Sequence, residues 1–102
     1  PAKYVIHTVG PVYSGKPRDA QLLTACYRNS LELAGRYNVA TIAFPAISCG
    51  VYGYPIEDAC KIAVDTCREG LKQHPGLQKV IFVLFSKSDR LVYQRYIEHL
   101  KA

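Results

Sequence analysis

Val39 to Pro55 reads VATIAFPAISCGVYGYP, and this stretch decides the fold. Val39 to Phe44 is apolar without alternation, the pattern of a strand covered on both faces, as in a parallel sheet. Pro45 stops it, because proline has no N–H for a ladder. Pro45 to Pro55 is then a loop containing Gly50 and Gly53. Beyond it, Ile56, Ala59, Cys60, Ala63, Val64, Cys67 and Leu71 recur at helical spacing and predict an amphipathic helix. His74-Pro75-Gly76 ends that helix, and Pro55 suits its first turn.

The same alternation extends in both directions. Upstream, Lys3 to Val9 (KYVIHTV) predicts a strand closed by Gly10-Pro11. Ser14 to Arg18 has loop chemistry. Asp19 is expected to cap a helix carried by Leu22, Leu23, Cys26, Tyr27, Ser30, Leu31 and Ala34, with Asn38 at its C-terminal cap. Downstream, Lys79 to Phe85 (KVIFVLF) predicts a third buried strand. Ser88 is expected to cap a last helix whose apolar face is Val92, Tyr93, Tyr96, Ile97 and Leu100. The order β-α-β-α-β-α, with connections too long for hairpins, predicts an α/β fold: a parallel sheet in a three-layer α/β/α arrangement, forming one domain over residues 1–102. Three strands make a narrow sheet with bare edges, which are an association hazard. Something else is therefore expected to complete it: a missing N-terminal half, a partner chain or a swapped copy.

Composition bounds the function classes. The chain of 102 residues has 13 basic and 8 acidic residues and a net charge of +5. That balance suits an anionic partner, although no two basic residues are adjacent. No apolar run approaches the roughly 18 residues of a membrane span. The first residues, PAKYV, resemble no targeting signal, and with no methionine anywhere in the chain residue 1 is expected to be a cut point. Four cysteines, Cys26, Cys49, Cys60 and Cys67, have neither zinc-knuckle nor redox spacing. Three fall on helical apolar faces as small hydrophobes, which predicts a reducing, intracellular compartment. No two histidines share metal-ligand spacing, so no metal and no cofactor is expected.

The chemistry is concentrated in Ser48-Cys49-Gly50-Val51-Tyr52-Gly53-Tyr54. Ligands of open α/β sheets bind beyond the carboxyl ends of the strands, where this loop lies. Gly50 and Gly53 permit positive φ and close approach of the backbone. Successive N–H groups in such a turn, beside a helix N-terminus, form a concave anion site that needs no Lys or Arg. Ser48 adds a hydroxyl, and Tyr52 and Tyr54 add flat faces for a ribose or base. Glu57 and Asp58 would oppose an anion unless they point away. An ordinary strand-to-helix turn would carry the same glycines, since G-x-x-G alone is unspecific.

The stretch ISCGVYGYP resembles the second ligand loop of macrodomains, I-[SE]-[TCA]-G-x-[FY]-G-[FY]-P. YVIHTVGP, Tyr4 to Pro11, is similar to the strand before the first helix of that family's C-terminal half, and Val80 to Ser86 is similar to its last core strand. The resemblance covers nearly the whole chain and implies an ADP-ribose site. Ser48, Cys49, Gly50, Val51 and Tyr52 would line the diphosphate channel, largely through backbone N–H groups. Tyr52 would pack on the distal ribose, with Gly53 and Tyr54 shaping the same wall, and Phe85 and Ser86 would lie near the adenosine. The family's first loop, an N-A-A-N stretch followed by glycines, is absent here, so the catalytic residues of the chain are unknown.

With a small residue before Gly50 and an aromatic at Tyr52, the loop looks more like the hydrolytic, MacroD-like branch. The resemblance thus implies a parent protein that deacetylates O-acetyl-ADP-ribose or removes ADP-ribose from modified proteins. Two rivals stay open: a module that binds ADP-ribose or ADP-ribosylated protein without turnover, and an inactive fragment that needs its missing half. Nucleic-acid binding ranks last, because no nucleic-acid motif accompanies the charge. His7 could serve as a base on the pocket floor, though a hydrogen-bonded strand histidine is the plainer reading. Cys49, beside a helix N-terminus, could be a lowered-pKa nucleophile, but no base or orienting group can be placed beside it.

Overall fold

The computed structural model describes residues 3–101; Pro1 and Ala2, part of the stretch compared with targeting signals, lie outside them, as does Ala102. Three helices and two strands follow one another: α1 (Arg18–Arg36), β1 (Thr41–Phe44), α2 (Ile56–Gln73), β2 (Lys79–Phe82) and α3 (Lys87–Lys101). The strands pair in parallel, with Ile42 opposite Val80 and Phe44 opposite Phe82. The expected α/β alternation is thus present from α1 onward.

One predicted element is missing. Tyr4 to Val9 forms no strand. A strand exists through its ladder, and this segment has no backbone partner among the described residues. The other two strands are shorter than predicted, beginning at Thr41 instead of Val39 and ending at Phe82 instead of Phe85.

All three helices pack on one face of the sheet. Even-numbered residues Ile42, Phe44, Val80 and Phe82 turn toward them. A row of aromatic rings joins the elements: Tyr27 of α1 meets Phe44 edge-on at 4.9 Å, Phe44 stacks on Phe82 at 6.4 Å, and Phe82 meets Tyr93 of α3 at 5.1 Å. The core of α2 is Ala59, Cys60, Ala63, Val64 and Cys67, all buried. The opposite face of the sheet is open: Ile81, Val83 and Phe85 point outward, Phe85 fully exposed at 105%. Of the three layers, the described residues build two, the sheet and one helical layer. Coverage on both faces, expected from VATIAF and KVIFVLF, is therefore not met within them.

Local chemistry sets the helix ends. Helix α1 stops in a Schellman turn: the N–H of Asn38 donates to Gly35 O and that of Val39 to Ala34 O, with Asn38 at φ 55°. Asparagine tolerates this left-handed conformation, which satisfies carbonyls that the helix end would leave free. The expected role of Asn38 at this terminus holds. Helix α3 is capped by Ser86 instead of Ser88, since Ser86 Oγ accepts the N–H of Asp89 at 3.1 Å. Leu22, placed on the apolar face by spacing, is exposed.

Helices α1 and α2 approach closely at Gly70, where an added Cβ would stand 2.5 Å from Leu31 Cδ1. Leu31 is only 1% exposed and has no room to retreat. Gly70→Val is therefore expected to destabilise the chain by about 1–3 kcal/mol through overpacking, read as a lower urea midpoint with an unchanged slope.

Candidate functional site

The loop from Pro45 to Pro55 connects β1 to α2 and is held by its own backbone. The N–H of Tyr54 donates to Ser48 O at 2.9 Å, that of Gly53 to Gly50 O at 3.0 Å and that of Cys49 to Ala46 O at 3.3 Å. Between these ties, the N–H groups of Gly50, Val51 and Tyr52 have no acceptor among the described residues. Three consecutive unpaired donors ahead of a helix N-terminus are the physical requirement for holding an anion through backbone. No side chain crowds them: nothing lies within 4 Å of where a Cβ on Gly50 would stand, and Val51 is fully exposed.

The loop reaches this shape differently from the expectation. Positive φ falls on Ser48 (67°) and Gly53 (73°), and Gly50 has none. Gly50 serves by leaving space open. The hydroxyl of Ser48 does not face outward: its Oγ is buried without a partner among the described residues, and a Cβ on Gly10 would collide with it. Gly10, read in the sequence as a strand stop, is thus the glycine that lets the N-terminal segment lie against the loop. Tyr52 is partly exposed, at 38%, and its ring is available, whereas Tyr54 is buried with its ring 5.0 Å from that of Tyr13. Tyr54 supports the loop from within.

Support also comes from a residue that spacing treated as a helix cap. Asp19 lies inside the first turn of α1, 3% exposed, and the N-cap position is Pro17. Its carboxylate accepts the N–H groups of Ser14 at 2.8 Å, Gly15 at 2.9 Å and Lys16 at 3.3 Å, and the Ser14 hydroxyl at 2.8 Å. The adjoining Tyr13 donates its N–H to Tyr52 O at 2.9 Å. Asp19 therefore fixes residues 14–16, and Tyr13 passes that order to the loop. One sequence signal was available: Asp19 lies on the buried stripe of its helix, four residues before Leu23, where a charge needs partners.

The remaining candidates are placed as follows. Phe85 is exposed, and Ser86 beside it is engaged in capping α3. His7 is exposed and lines the gap beside β1 with no hydrogen bond among the described residues, so the reading of a hydrogen-bonded strand histidine is not met there. Burial, with the negative charge of Asp89 behind it, pushes the Cys49 thiol up to about 11, the reverse of an activated nucleophile. Glu57 and Asp58 line separate clefts, with Val92 and Arg95 and with Lys16 and Lys61 respectively, neither of which is lined by Ser48–Tyr52. Among the described residues, no group of three or more His, Cys, Asp or Glu side chains could hold a metal, and no helix is long and apolar enough to cross a membrane.

Comparison with known proteins converges on one family. The Macro domain model matches residues 1–63. A Macro domain-containing protein of Chlorobaculum tepidum is 55% identical over 96 residues, covering 93% of this chain and 56% of that protein. An O-acetyl-ADP-ribose deacetylase of Klebsiella pneumoniae is 50% identical over 98 residues, with 95% and 56% coverage. A mutant of the Oceanobacillus iheyensis macrodomain, solved with ADPR, superimposes with a TM-score of 0.86 at 43% identity, covering 92% of this chain and 50% of that one. The chain spans about half the length of the relatives it matches.

Two expectations follow from the site. The hydrogen bonds from Ser14, first among the influences on Asp19, lower its carboxyl pKa below 3.8, so the ionised form is bound more tightly in the folded chain. That contribution is present above the usual carboxylate pKa and is lost as pH falls through the lowered value. Asp19→Asn is expected to melt earlier than the parent at pH 7, with the gap narrowing below about pH 4, as thermal melts across pH will register. Alkylation of Cys49 by iodoacetamide, followed by mass spectrometry, is expected to keep accelerating with pH beyond 9 and show no plateau near the ordinary thiol pKa of about 8.5.

Proposed function

From the premise that this chain belongs to the Macro domain family, we propose that its loop Ser48–Tyr54 binds the diphosphate and distal ribose of ADP-ribose. The observation that carries the reading is the run of three unpaired N–H groups at Gly50, Val51 and Tyr52, in a loop whose outer side is open. A diphosphate supplies several acceptor oxygens within the span of such a turn, and hydrogen bonds to charged acceptors are stronger than neutral ones. Backbone donors held before the ligand arrives lower the ordering cost of binding. Tyr52 offers its partly exposed ring to the distal ribose beside those amides. Cys49, Gly53 and Tyr54 shape the wall, and the exposed Phe85, with Ser86, is assigned to the adenosine side.

The parent reaction follows from the same premise. Relatives named O-acetyl-ADP-ribose deacetylase and ADP-ribose glycohydrolase, and macrodomains solved with ADPR or ADP, support a hydrolase acting on O-acetyl-ADP-ribose or on ADP-ribosylated protein. This loop would hold the diphosphate and stabilise charge that develops next to it. The residues that activate water are assigned to the half of the domain that this chain does not span.

Calorimetric titration of the chain with ADP-ribose, ADP and AMP tests the binding reading. ADP-ribose is expected to bind most tightly. Gly50→Glu, at a position with free space and no positive φ, is expected to fold normally yet bind at least about tenfold more weakly, because a carboxylate would stand beside the free amides (about 1.4 kcal/mol or more). Equal affinity for AMP and ADP-ribose, or an unchanged Gly50→Glu variant, would sink the assignment.

A further inference from the structure

We infer that the cleft between the starts of α1 and α2 is a docking groove for the polypeptide to which ADP-ribose is attached, and that Lys16 and Lys61 select acidic residues flanking the attachment point. The inference rests on the reading of Ser48–Tyr54 as the diphosphate and distal-ribose loop, which gives the ligand a direction. Phe85 and Ser86 follow β2, which pairs with one edge of β1. The N-terminal segment runs on the other side, since the gap it lines involves Thr41 to Phe44 of β1 and no residue of β2. The Ser48–Tyr54 loop rises between them and is tied on that far side by Tyr13, whose N–H donates to Tyr52 O at 2.9 Å. An ADP-ribose with its adenosine toward Phe85 and its distal ribose at Tyr52 therefore directs its free end, where protein would be joined, toward Tyr13 and the residues after it.

The cleft opens at that place. It encloses about 410 Å³; Tyr54, a residue of the loop, and Tyr13, bonded to it, form part of its wall, and Pro17 and Ile62 give it apolar surface. Its lysines, Lys16 and Lys61, and Arg18 on the adjoining turn are exposed, and none forms a salt bridge among the described residues. Of the two aspartates in the lining, Asp19 is buried, and its oxygens accept four hydrogen bonds from residues 14–16. Asp58 is exposed. Three free cations against one free carboxylate favour an anionic occupant. A nucleotide strand would seek open aromatic faces for stacking, whereas the rings here are engaged, Tyr54 being buried with Tyr13 5.0 Å from it. An acidic peptide uses what the cleft offers: carboxylates for the lysines, and side-chain stems for Pro17 and Ile62. Exposed ion pairs are weak singly, so the groove acts once ADP-ribose is anchored, when the attached peptide is held there at high effective concentration.

Calorimetric titration of the chain compares free ADP-ribose with two short peptides that carry it on a serine through a stable glycosidic bond, one flanked by glutamates and one by glutamines. The glutamate peptide is expected to bind about fivefold or more tighter than free ADP-ribose, a gain that fades as salt is raised. The glutamine peptide is expected to show little of it. Both lysines are exposed, so the double variant Lys16→Gln, Lys61→Gln is expected to fold as the parent does. In it, the ratio of glutamate-peptide to free ADP-ribose affinity is expected to fall toward one. Equal affinity of the two peptides, a glutamate peptide no tighter than free ADP-ribose, or an unchanged ratio in the double variant would overturn the inference. NMR amide shifts recorded with the unmodified glutamate peptide at high concentration keep the two readings apart. Changes at Lys16, Lys61 and Ile62 in a chain that does not bind ADP-ribose would sink the loop reading and uphold the groove. Binding of ADP-ribose with none of those changes and no gain from the glutamates would sink the groove alone.

Discussion

The aromatic row Tyr27–Phe44–Phe82–Tyr93 is the contact on which the rest of the structure depends. It crosses α1, β1, β2 and α3 in succession, and its inner rings are fixed by the parallel register that sets Phe44 opposite Phe82. Large rings bury more apolar area than other side chains and hold preferred offset or edge-on geometries, so the row sets both spacing and orientation. Small residues on α2, chiefly Ala59, Cys60 and Ala63, let that helix pack into the same core. The arrangement is one-sided. All of this burial serves one face of the sheet and leaves Ile81, Val83 and Phe85 on the other exposed.

The site inherits its position from that core and its shape from smaller contacts. Phe44 is the last residue of β1, so anchoring its ring fixes the root of the loop. Tyr27 adds its hydroxyl, 3.5 Å from Pro45 O. From there, backbone ties at Ser48, Gly50 and Gly53 set the turn, and the Asp19 carboxylate orders the neighbouring segment that holds Tyr52 through Tyr13. The Ser48–Tyr54 loop is thus braced from β1 beneath and from the start of α1 beside it, and the amides of Gly50, Val51 and Tyr52 stay free among the described residues. Rigid support with unpaired donors is the preorganisation that anion binding needs.

Much of this was legible from residue order alone. Periodicity placed all three helices and two of three strands because an amphipathic pattern reports which side of an element meets a core, whatever that core contains. The loop motif drew attention to Ser48–Tyr54 because glycine and proline constrain the backbone locally. Failures fell where a residue's role depends on a neighbour distant in sequence. KYVIHTV has the composition of a strand but lacks the adjacent edge that would make it one. Asp19 looked like a cap because its partners, amides of a preceding loop, cannot be seen from spacing. Gly10 owes its importance to Ser48, 38 positions away, and Tyr54 is withdrawn from the surface by Tyr13.

By itself, then, the sequence determined the alternation of elements, the place of the glycine-rich loop and the family whose motif it carries, since all three rest on local backbone preference and short-range pattern. Tertiary structure alone decided which loop amides remain unpaired, that Ser48 turns its hydroxyl inward, and that one face and both edges of the two-stranded sheet stay open among the described residues. Those outcomes depend on which groups consume one another's hydrogen bonds and surface after folding, a competition between residues far apart in the chain.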